Sequence, residues 1–294
     1  MEAGFFLVDK EKGVSSASVV ASLKKKFNLK KVGHTGTLDP FATGLLVCPF
    51  NGATRLSSFV QETKKIYSGI ILLGTKTDSD DITGNIIERK EVESFSLEEL
   101  LKVRDLFLGK ITQVPPKLSA IKIDGKRAYD KFRHNEDFEM REREVFIESF
   151  DIVDFLREEI FFKIVCSKGT YIRALARDFG EKLNTPSTLK ELKREALGGF
   201  NISDAKKVNN LEFSDMLSWE RIFSADCRLY LDDASIERLN VGDSVFLNNL
   251  QGSKEYKDKF LSRTILYYKA NKANQTSGVL IKKSGSWSFL VNGI

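Results

Sequence analysis

A single carboxylate, Asp39, sits in the segment GHTGTLDPFATGLL (residues 33–46), followed by Pro40 and flanked by Gly33, Gly36 and Gly44. The glycines let the backbone turn and approach a ligand closely, and the proline stiffens it. An isolated Asp-Pro pair is ordinarily an Asx-type turn. A loop that also carries threonines and His34, with lysines on either side, fits a ligand-binding loop better than a plain turn. Other chemistries are absent. The chain has no GxxxxGK[ST] phosphate loop, no GxGxxG and no HExxH. Its 2 histidines, His34 and His134, lie in no GxSxG elbow. Asp78, Asp80 and Asp81 miss the spacing of a calcium loop and read as a solvated turn, so no metal site is expected. Asp39 is left as the best-presented reactive group.

The elements around that loop have a legible order. GFFLVDK reads as a strand, and SSASVVASLKKKF as a helix with serine caps and apolar Val19, Val20, Leu23 and Phe27. After the glycine-rich loop come the strand LLVCPF and a helix over TRLSSFVQETKK. KIYSGIILLGT and GNIIERKEV look like paired strands about the acidic turn TDSDDITG. Ser96 and Glu99 predict a capping box at the start of the helix LEELLKVRDLFLG. Residues 113–143 are charged, with little apolar periodicity, and read as a mobile insertion with a hairpin at Asp124 and Gly125. VFIESFDIVDFL and EIFFKIVCS alternate as adjacent antiparallel strands, and YIRALARDFGEKL is an amphipathic helix. STLKELKREAL is expected as a closing helix. After about Phe223, the runs RLYLDD, DSVFL, RTILYYK, SGVLIKK and SWSFLVNG suggest a small β-rich module. The fold class is α+β.

The 294 residues, 41% hydrophobic with 5 prolines, can bury a core and fall outside the disordered and collagen-like classes. No apolar run approaches the roughly 20 residues that cross a bilayer, and the N-terminus lacks a signal-peptide pattern. A cytoplasmic protein without membrane contact is expected. Cys48, Cys166 and Cys227 are too few and too scattered for a disulfide framework or structural zinc, and are read as buried thiols. The net charge of +5 is concentrated: residues 1–65 hold ten Lys or Arg against five acids. Such a basic segment is compatible with a polyanionic partner.

The chain resembles the TruB-type tRNA pseudouridine synthases. GHTGTLDPFATGLL is similar to their signature, and NGATRL, KKIYSGIILLGTKTDSDDITG, QVPPKLSAIK and CSKGTYIRALARDFGEKL follow in the family's order across about the first 200 residues. The resemblance implies the pseudouridine synthase fold, a central mixed and largely antiparallel sheet flanked by helices. It implies a catalytic domain at 1–222, with 113–143 as an RNA-gripping insertion, and a PUA-like RNA-binding module at 223–294. The implied activity is isomerisation of uridine 55 in the tRNA T-loop, without cofactor or metal, by a monomer that also contacts the acceptor region.

The chemistry implied for the site is coherent. Breaking the C1′–N1 bond, turning the uracil and rejoining it through C5 suits a carboxylate that attacks covalently and later leaves. Whether Asp39 attacks the ribose C1′ or the ring C6 is open at this level. The resemblance makes Arg173 its ion-pair partner and Tyr67 the residue that stacks on the base and helps remove the C5 proton. Tyr171 and Leu192 become pocket walls, His34 fills the space of an extruded nucleotide, and Lys10 belongs to the substrate site. The target base has to leave its stack, and Lys24, Lys25, Lys26, Lys30, Lys31, Lys64 and Lys65 are the expected phosphate contacts. Three departures are visible: Glu11 where the family has proline in DKPxGxTS, Leu118 where it has tyrosine, and LKR at Leu192–Arg194 in place of LRR. An alternative is a non-catalytic module that grips or refolds RNA, with Asp39 only capping a turn. A relative acting on rRNA in a guide-RNA complex fits less well, because the chain is compact.

Overall fold

The computed structural model describes residues 3–134, 136–223, 228–252, 264–269, 276–283 and 286–292. Among these, no helix is long and apolar enough to cross a membrane.

The chain opens with β1 (Gly4–Lys10), almost wholly buried, and α1 (Ser16–Lys26), whose N-cap Ser15 accepts from the backbone N–H of Ser18 at 3.0 Å. Val19 and Leu23 bury one face of α1, and Lys24, Lys25 and Lys26 end it, where cations complement the helix dipole. The loop then returns through β2 (Thr43–Phe50), antiparallel to β1. A 3-10 turn (Asn51–Leu56) and α2 (Ser57–Gln61) together make up the helix expected over TRLSSFVQETKK, in two short pieces.

Next come β3 (Lys65–Leu73), β4 (Thr75–Thr77) and β5 (Ile86–Arg89). The expected pairing of the strands about TDSDDITG needs correction. It is the short β4 that pairs with β5, and the left-handed Gly74 (φ +79°) separates β4 from β3. The capping box of α3 (Leu97–Asp105) is present: Glu99 N–H donates to Ser96 Oγ at 3.3 Å and Ser96 N–H donates to Glu99 Oε2 at 2.8 Å. After β6 (Gly109–Gln113), the insertion carries the hairpin β7 (Lys122–Ile123) and β8 (Lys126–Arg127), turning at Asp124 and Gly125 with φ of +52° and +84°, then α4 (Ala128–Arg133). β9 (Arg143–Leu156) and β10 (Glu159–Cys166) pair antiparallel, as their alternation predicts. α5 (Ile172–Lys182) buries Ile172, Leu175, Ala176 and Phe179.

The segment STLKELKREAL is a strand, β11 (Ser187–Leu197), not the expected helix. Glutamate, lysine, leucine and alanine favour helix intrinsically, and Leu189, Leu192 and Ala196 fall at helical spacing. Register shifts between Leu189 and Glu191 and between Arg194 and Ala196 explain the misreading, because they break the period-two pattern that would signal a strand. Pairing on both edges decides the outcome: β11 lies between β3, antiparallel, and β2, parallel. With β12 (Phe200–Asn201) on β11 and β13 (Leu217–Ser218) at one edge, nine strands form the sheet β13-β1-β2-β11-β3-β10-β9-β6. It is mixed and largely antiparallel, as the resemblance implied. α5 and α3 pack on one half; α1 covers β1 and β2, with Phe6, Val8, Leu46 and Phe50 beneath it.

The last part contains β14 (Arg228–Leu231), α6 (Asp233–Asn240), α7 (Ser244–Gly252), β15 (Thr264–Lys269), β16 (Thr276–Lys283) and β17 (Ser286–Asn292). Its strands form a sheet in the order β14-β15-β16-β17. DSVFL, expected as a strand, opens α7: Asp243 Oδ1 accepts from Phe246 N–H at 2.8 Å, and Leu247 and Leu250 bury one side. Val279 packs into the cluster of Phe5, Leu45 and Trp219, so this part shares a core with the first.

Candidate active site

The loop bearing Asp39 is tied down on several sides. Gly33 N–H and Thr35 N–H donate to the carbonyls of Pro49 and Val47 at 2.9 and 3.0 Å, laying residues 33–35 along β2. Ser16, at the start of α1, accepts from Leu38 N–H at 2.9 Å and donates to the Leu38 carbonyl at 3.0 Å. Pro40 O accepts from Gly13 N–H at 2.7 Å and from Lys10 Nζ at 3.3 Å. Gly44 has φ +98°, and a Cβ there would lie 2.4 Å from the Arg194 carbonyl; only glycine lets β2 approach β11 this closely. The result is a half-buried Asp39 side chain held on a rigid floor.

That floor belongs to a cavity of about 260 Å³, lined by Asp39, Tyr67, Tyr171, Arg173, Leu192 and Arg194 among others. Five sequence-predicted residues are therefore brought together: Asp39, Tyr67, Arg173, Tyr171 and Leu192. Arg173, on the first turn of α5, is 5% exposed. Its Nη2 donates to Asp39 Oδ1 at 3.3 Å, and its Nε lies 2.9 Å from Oδ2, off the N–H axis, so that second contact is Coulombic. The guanidinium also donates to the carbonyls of Ser79 and Leu118 at 2.8 and 3.0 Å, and its Nη1 is 3.5 Å from Asp81 Oδ2. Burial pushes the Asp39 carboxyl above its ordinary range; Arg173 pulls it back down and Asp81 pushes it further up. Tyr67, on β3, is 7% exposed and its phenol is raised by burial, while the nearby Arg194 guanidinium opposes that rise.

Tyr171 precedes α5 and is fixed by Gln113. Tyr171 N–H donates to Gln113 Oε1 at 3.0 Å, and Gln113 Nε2 returns the bond to the Tyr171 carbonyl at 3.1 Å. The reciprocal pair supplies one of the orphan donors at the helix start.

His34 lies beside the small cavity, in a broader cleft of about 1000 Å³ between the Asp39 loop and residues 121–124 and 139–144. Its Nδ1 is buried without a partner, and burial together with Arg194 lowers its pKa, favouring the neutral ring.

Lys10 lies beneath the loop. It is fully buried, lines neither cavity, and donates to the carbonyls of Glu11, Val14 and Pro40 at 3.0, 2.7 and 3.3 Å. It fastens the loop from below, and its charge helps pull the Asp39 carboxyl down. Burial lowers its pKa to about 8.

The expected phosphate contacts separate. Lys24, Lys25, Lys30 and Lys31 are exposed around the far end of α1. Ser16, which grips the loop, starts that helix, so at 1.5 Å per residue its last turn lies more than roughly 10 Å from Asp39's anchor. Lys26 Nζ donates to the carbonyls of Val208 and Asn209 at 2.8 and 2.7 Å, and Lys64 pairs with Glu148. Lys65 lines both cavities but is 8% exposed and donates to the carbonyls of Gln61 and Thr63 at 2.8 and 2.9 Å. A lysine so engaged is not the free phosphate hook expected of it.

The acidic turn is also corrected. Asp80 and Asp81 are 8% and 5% exposed, not solvated. Asp80 pairs with Arg177 at 2.9 Å, and Asp81 Oδ1 accepts from the Thr83 N–H and hydroxyl at 2.9 and 2.5 Å while Oδ2 faces Arg173. Arg173 and Arg177, four apart and so on one face of α5, are the cations these two carboxylates meet. Arg194, which the sequence marks only as part of LKR, is 1% exposed; it donates to the carbonyls of Leu45 and Gly36 at 2.7 and 3.1 Å, binding β11 to both ends of the Asp39 loop.

Cys48 and Cys166 are buried free thiols, whereas Cys227 lies outside the described residues. Among the described residues no cluster of His, Cys, Asp and Glu could hold a metal ion.

Comparison with known proteins agrees with this geometry. The chain is 36% identical to the tRNA pseudouridine synthase B of Onion yellows phytoplasma over 266 residues, 90% of this chain and 94% of that protein. It is 39% identical to the tRNA pseudouridine synthase B of Acholeplasma laidlawii over 239 residues, 81% and 85% of the two chains. Among solved structures, an H/ACA RNP bound to a substrate RNA containing 2′-deoxyuridine superposes with a TM-score of 0.66 over 99% of this chain and 84% of that one, at 18% identity. A Cbf5-Nop10-Gar1 complex matches with a TM-score of 0.63 over 81% and 67%, at 23% identity. At such identities the likeness is one of fold. Residues 24–172 match the family model of the TruB family pseudouridylate synthase N-terminal domain, so the chain that sets Asp39 against Arg173 belongs to the TruB family of pseudouridylate synthases.

Proposed function

We propose that the protein is a tRNA pseudouridine synthase that isomerises uridine 55 of the T-loop, with Asp39 as nucleophile. The observation that carries this reading is the ion pair at the floor of the small cavity: Arg173, itself buried, holds one carboxylate where a nucleobase can enter. The cavity is below the roughly 300–1,000 Å³ of drug-sized sites, a size suited to one extruded nucleoside.

The base enters between the Tyr67 and Tyr171 rings and Leu192. The ionised Asp39 attacks the ribose C1′ or the ring C6; the C1′–N1 bond breaks, and the detached uracil turns while those apolar walls retain it. C5 then bonds to C1′ as the Asp39 carboxylate leaves; the C5 proton passes through the Tyr67 hydroxyl, which burial keeps protonated and which gives up its own proton as it takes this one, to the released carboxylate. Arg173 keeps the carboxylate ionised and oriented against the desolvation that favours its neutral form. Residues 113–143 and 223–294 contribute RNA contacts, the latter toward the acceptor region. The protein acts as a cytoplasmic monomer without cofactor.

Release of tritium from [5-³H]uridine-labelled tRNA tests the proposal. Wild type should release label at the T-loop uridine, and Asp39→Asn should release none while still binding tRNA. Equal binding with no release from either would favour the alternative, a module that only grips RNA.

A further inference from the structure

The small cavity at Asp39 and the broad cleft beside it meet at a narrow junction. Gly36, Thr37, Lys65, Arg143 and Gly169 line both. Only Lys65 and Arg143 carry positive charge there, and Lys65 is committed to the Gln61 and Thr63 carbonyls. Arg143 is different. It is half-buried, its guanidinium lies 5.3 Å from the centroid of the Tyr171 ring, and its Nε is buried without an acceptor. Among the described residues no carboxylate or carbonyl pairs with it. Gly169 lies opposite, where a Cβ would meet Arg143 Nη1 at 3.7 Å, an ordinary van der Waals contact.

A partly desolvated guanidinium without an anion is costly to maintain, and its planar fork suits a phosphate. A nucleotide whose base fills the small cavity leaves its own phosphodiesters at the mouth, which is this junction. We propose that Arg143 binds a phosphodiester flanking the isomerised uridine, and that through its stacking on Tyr171 it couples capture of the backbone to closure of the base pocket. The ligand class is a single-stranded RNA phosphate. Arg143 begins β9 at the end of the insertion, opposite Gln113, and Gln113 also fixes the Tyr171 backbone. The insertion and the pocket therefore share these two residues as their joint. The inference rests on the RNA-isomerase reading above.

The test uses the full chain with T-arm stem-loop RNAs in which the phosphate on the 5′ or the 3′ side of the target uridine is replaced by a neutral methylphosphonate. For wild type, one of the two replacements should weaken binding about tenfold, with most of the loss in KM. Arg143→Ala should show the same loss on unmodified RNA and no further loss on the modified one, and its salt dependence should flatten by about 0.7 in log K against log salt, the value for one single-strand phosphate contact. Arg143→Lys should retain part of the methylphosphonate penalty, and circular dichroism melts guard against misfolding. The proposal is overturned if Arg143→Ala keeps the full penalty, or if neither replacement affects wild type. A wild type that binds these RNAs with the expected phosphate dependence yet releases no tritium would instead overturn the isomerase reading.

Discussion

Asp39 and Asp81 divide one guanidinium between them. Arg173 Nε lies 2.9 Å from Asp39 Oδ2, and Nη1 of the same side chain lies 3.5 Å from Asp81 Oδ2. One cation facing two carboxylates cannot fully compensate either, and only Asp39 opens on the cavity. Asp81 is satisfied by Ser79 and Thr83, so it is the fixed anion that holds Arg173, and Asp39 is the one left available to react.

Replacing the proposed nucleophile should abolish turnover without unfolding the protein. Asp39→Asn keeps the shape of the side chain and should lower kcat by about 10⁴-fold or more, as removal of a covalent nucleophile does elsewhere. Single-turnover tritium release measures it. Residual activity within tenfold of wild type would place the nucleophile elsewhere.

The pH profile follows from the direction of the Asp39 shift. The reactive form is the carboxylate, and burial lifts its pKa above the ordinary 3.8. Activity should therefore fall as pH drops through an inflection higher than that of an exposed aspartate. Asp81→Asn removes one charge that raises Asp39, so its inflection should move to lower pH. A shift upward, or none, would contradict the shared-guanidinium arrangement. The stability sign is the opposite of the usual acid case: a raised folded-state pKa favours the protonated fold, a contribution present at low pH and lost as pH rises through that pKa. Asp39→Asn should accordingly melt no lower than wild type at neutral pH.

Arg194 should matter to both stability and rate. Arg194→Met would strand the Leu45 and Gly36 carbonyls in the interior, at about 1–3 kcal/mol each. Urea unfolding should show a loss of roughly 2–5 kcal/mol, and kcat should fall because the loop segment at Gly36 loses its anchor. A stability within about 0.5 kcal/mol of wild type, the range of inconsequential surface changes, would show that these carbonyls find other partners.

The two described thiols should resist alkylation in the native state. Burial pushes Cys48 up to about 12 and Cys166 up to about 11, and the thiolate is the reactive species. Its smaller fraction alone should slow iodoacetamide labelling by roughly 100-fold or more relative to the unfolded chain, as mass spectrometry with peptide mapping would read. Rapid native labelling of either residue would contradict its placement in the core.

What could be read from the sequence follows a physical division. Asp39, Tyr67, Arg173, Tyr171 and Leu192 converge because each sits in a recognisable run of residues. The burial of Lys10 and Lys65 is not legible, because residue type does not say whether an ammonium meets water or backbone carbonyls; that depends on distant chain folding over it. β11 was misread for a related reason. Its composition favours helix, and two partner strands overrule it, with bulges hiding the alternation. Asp81 reads as solvated, and Arg143 as one more charge of the insertion, because their importance lies in what they face: Asp81 in the cation 92 positions along the chain, and Arg143 in the space it shares with Tyr171.

The short parallel pairing of β11 with β2, Lys193 against Thr43 and Arg194 against Gly44, sets a schedule on the ribosome. Asp39 leaves the exit tunnel long before its counter-ion, 134 positions later, and Gly36 long before the guanidinium that clasps it, 158 positions later. Until β11 has emerged and slid between β2 and β3, the signature loop lacks its clasp and the cavity its floor. A growing chain thus carries the Asp39 carboxylate through much of its synthesis before Arg173 and Arg194 can fix it in place.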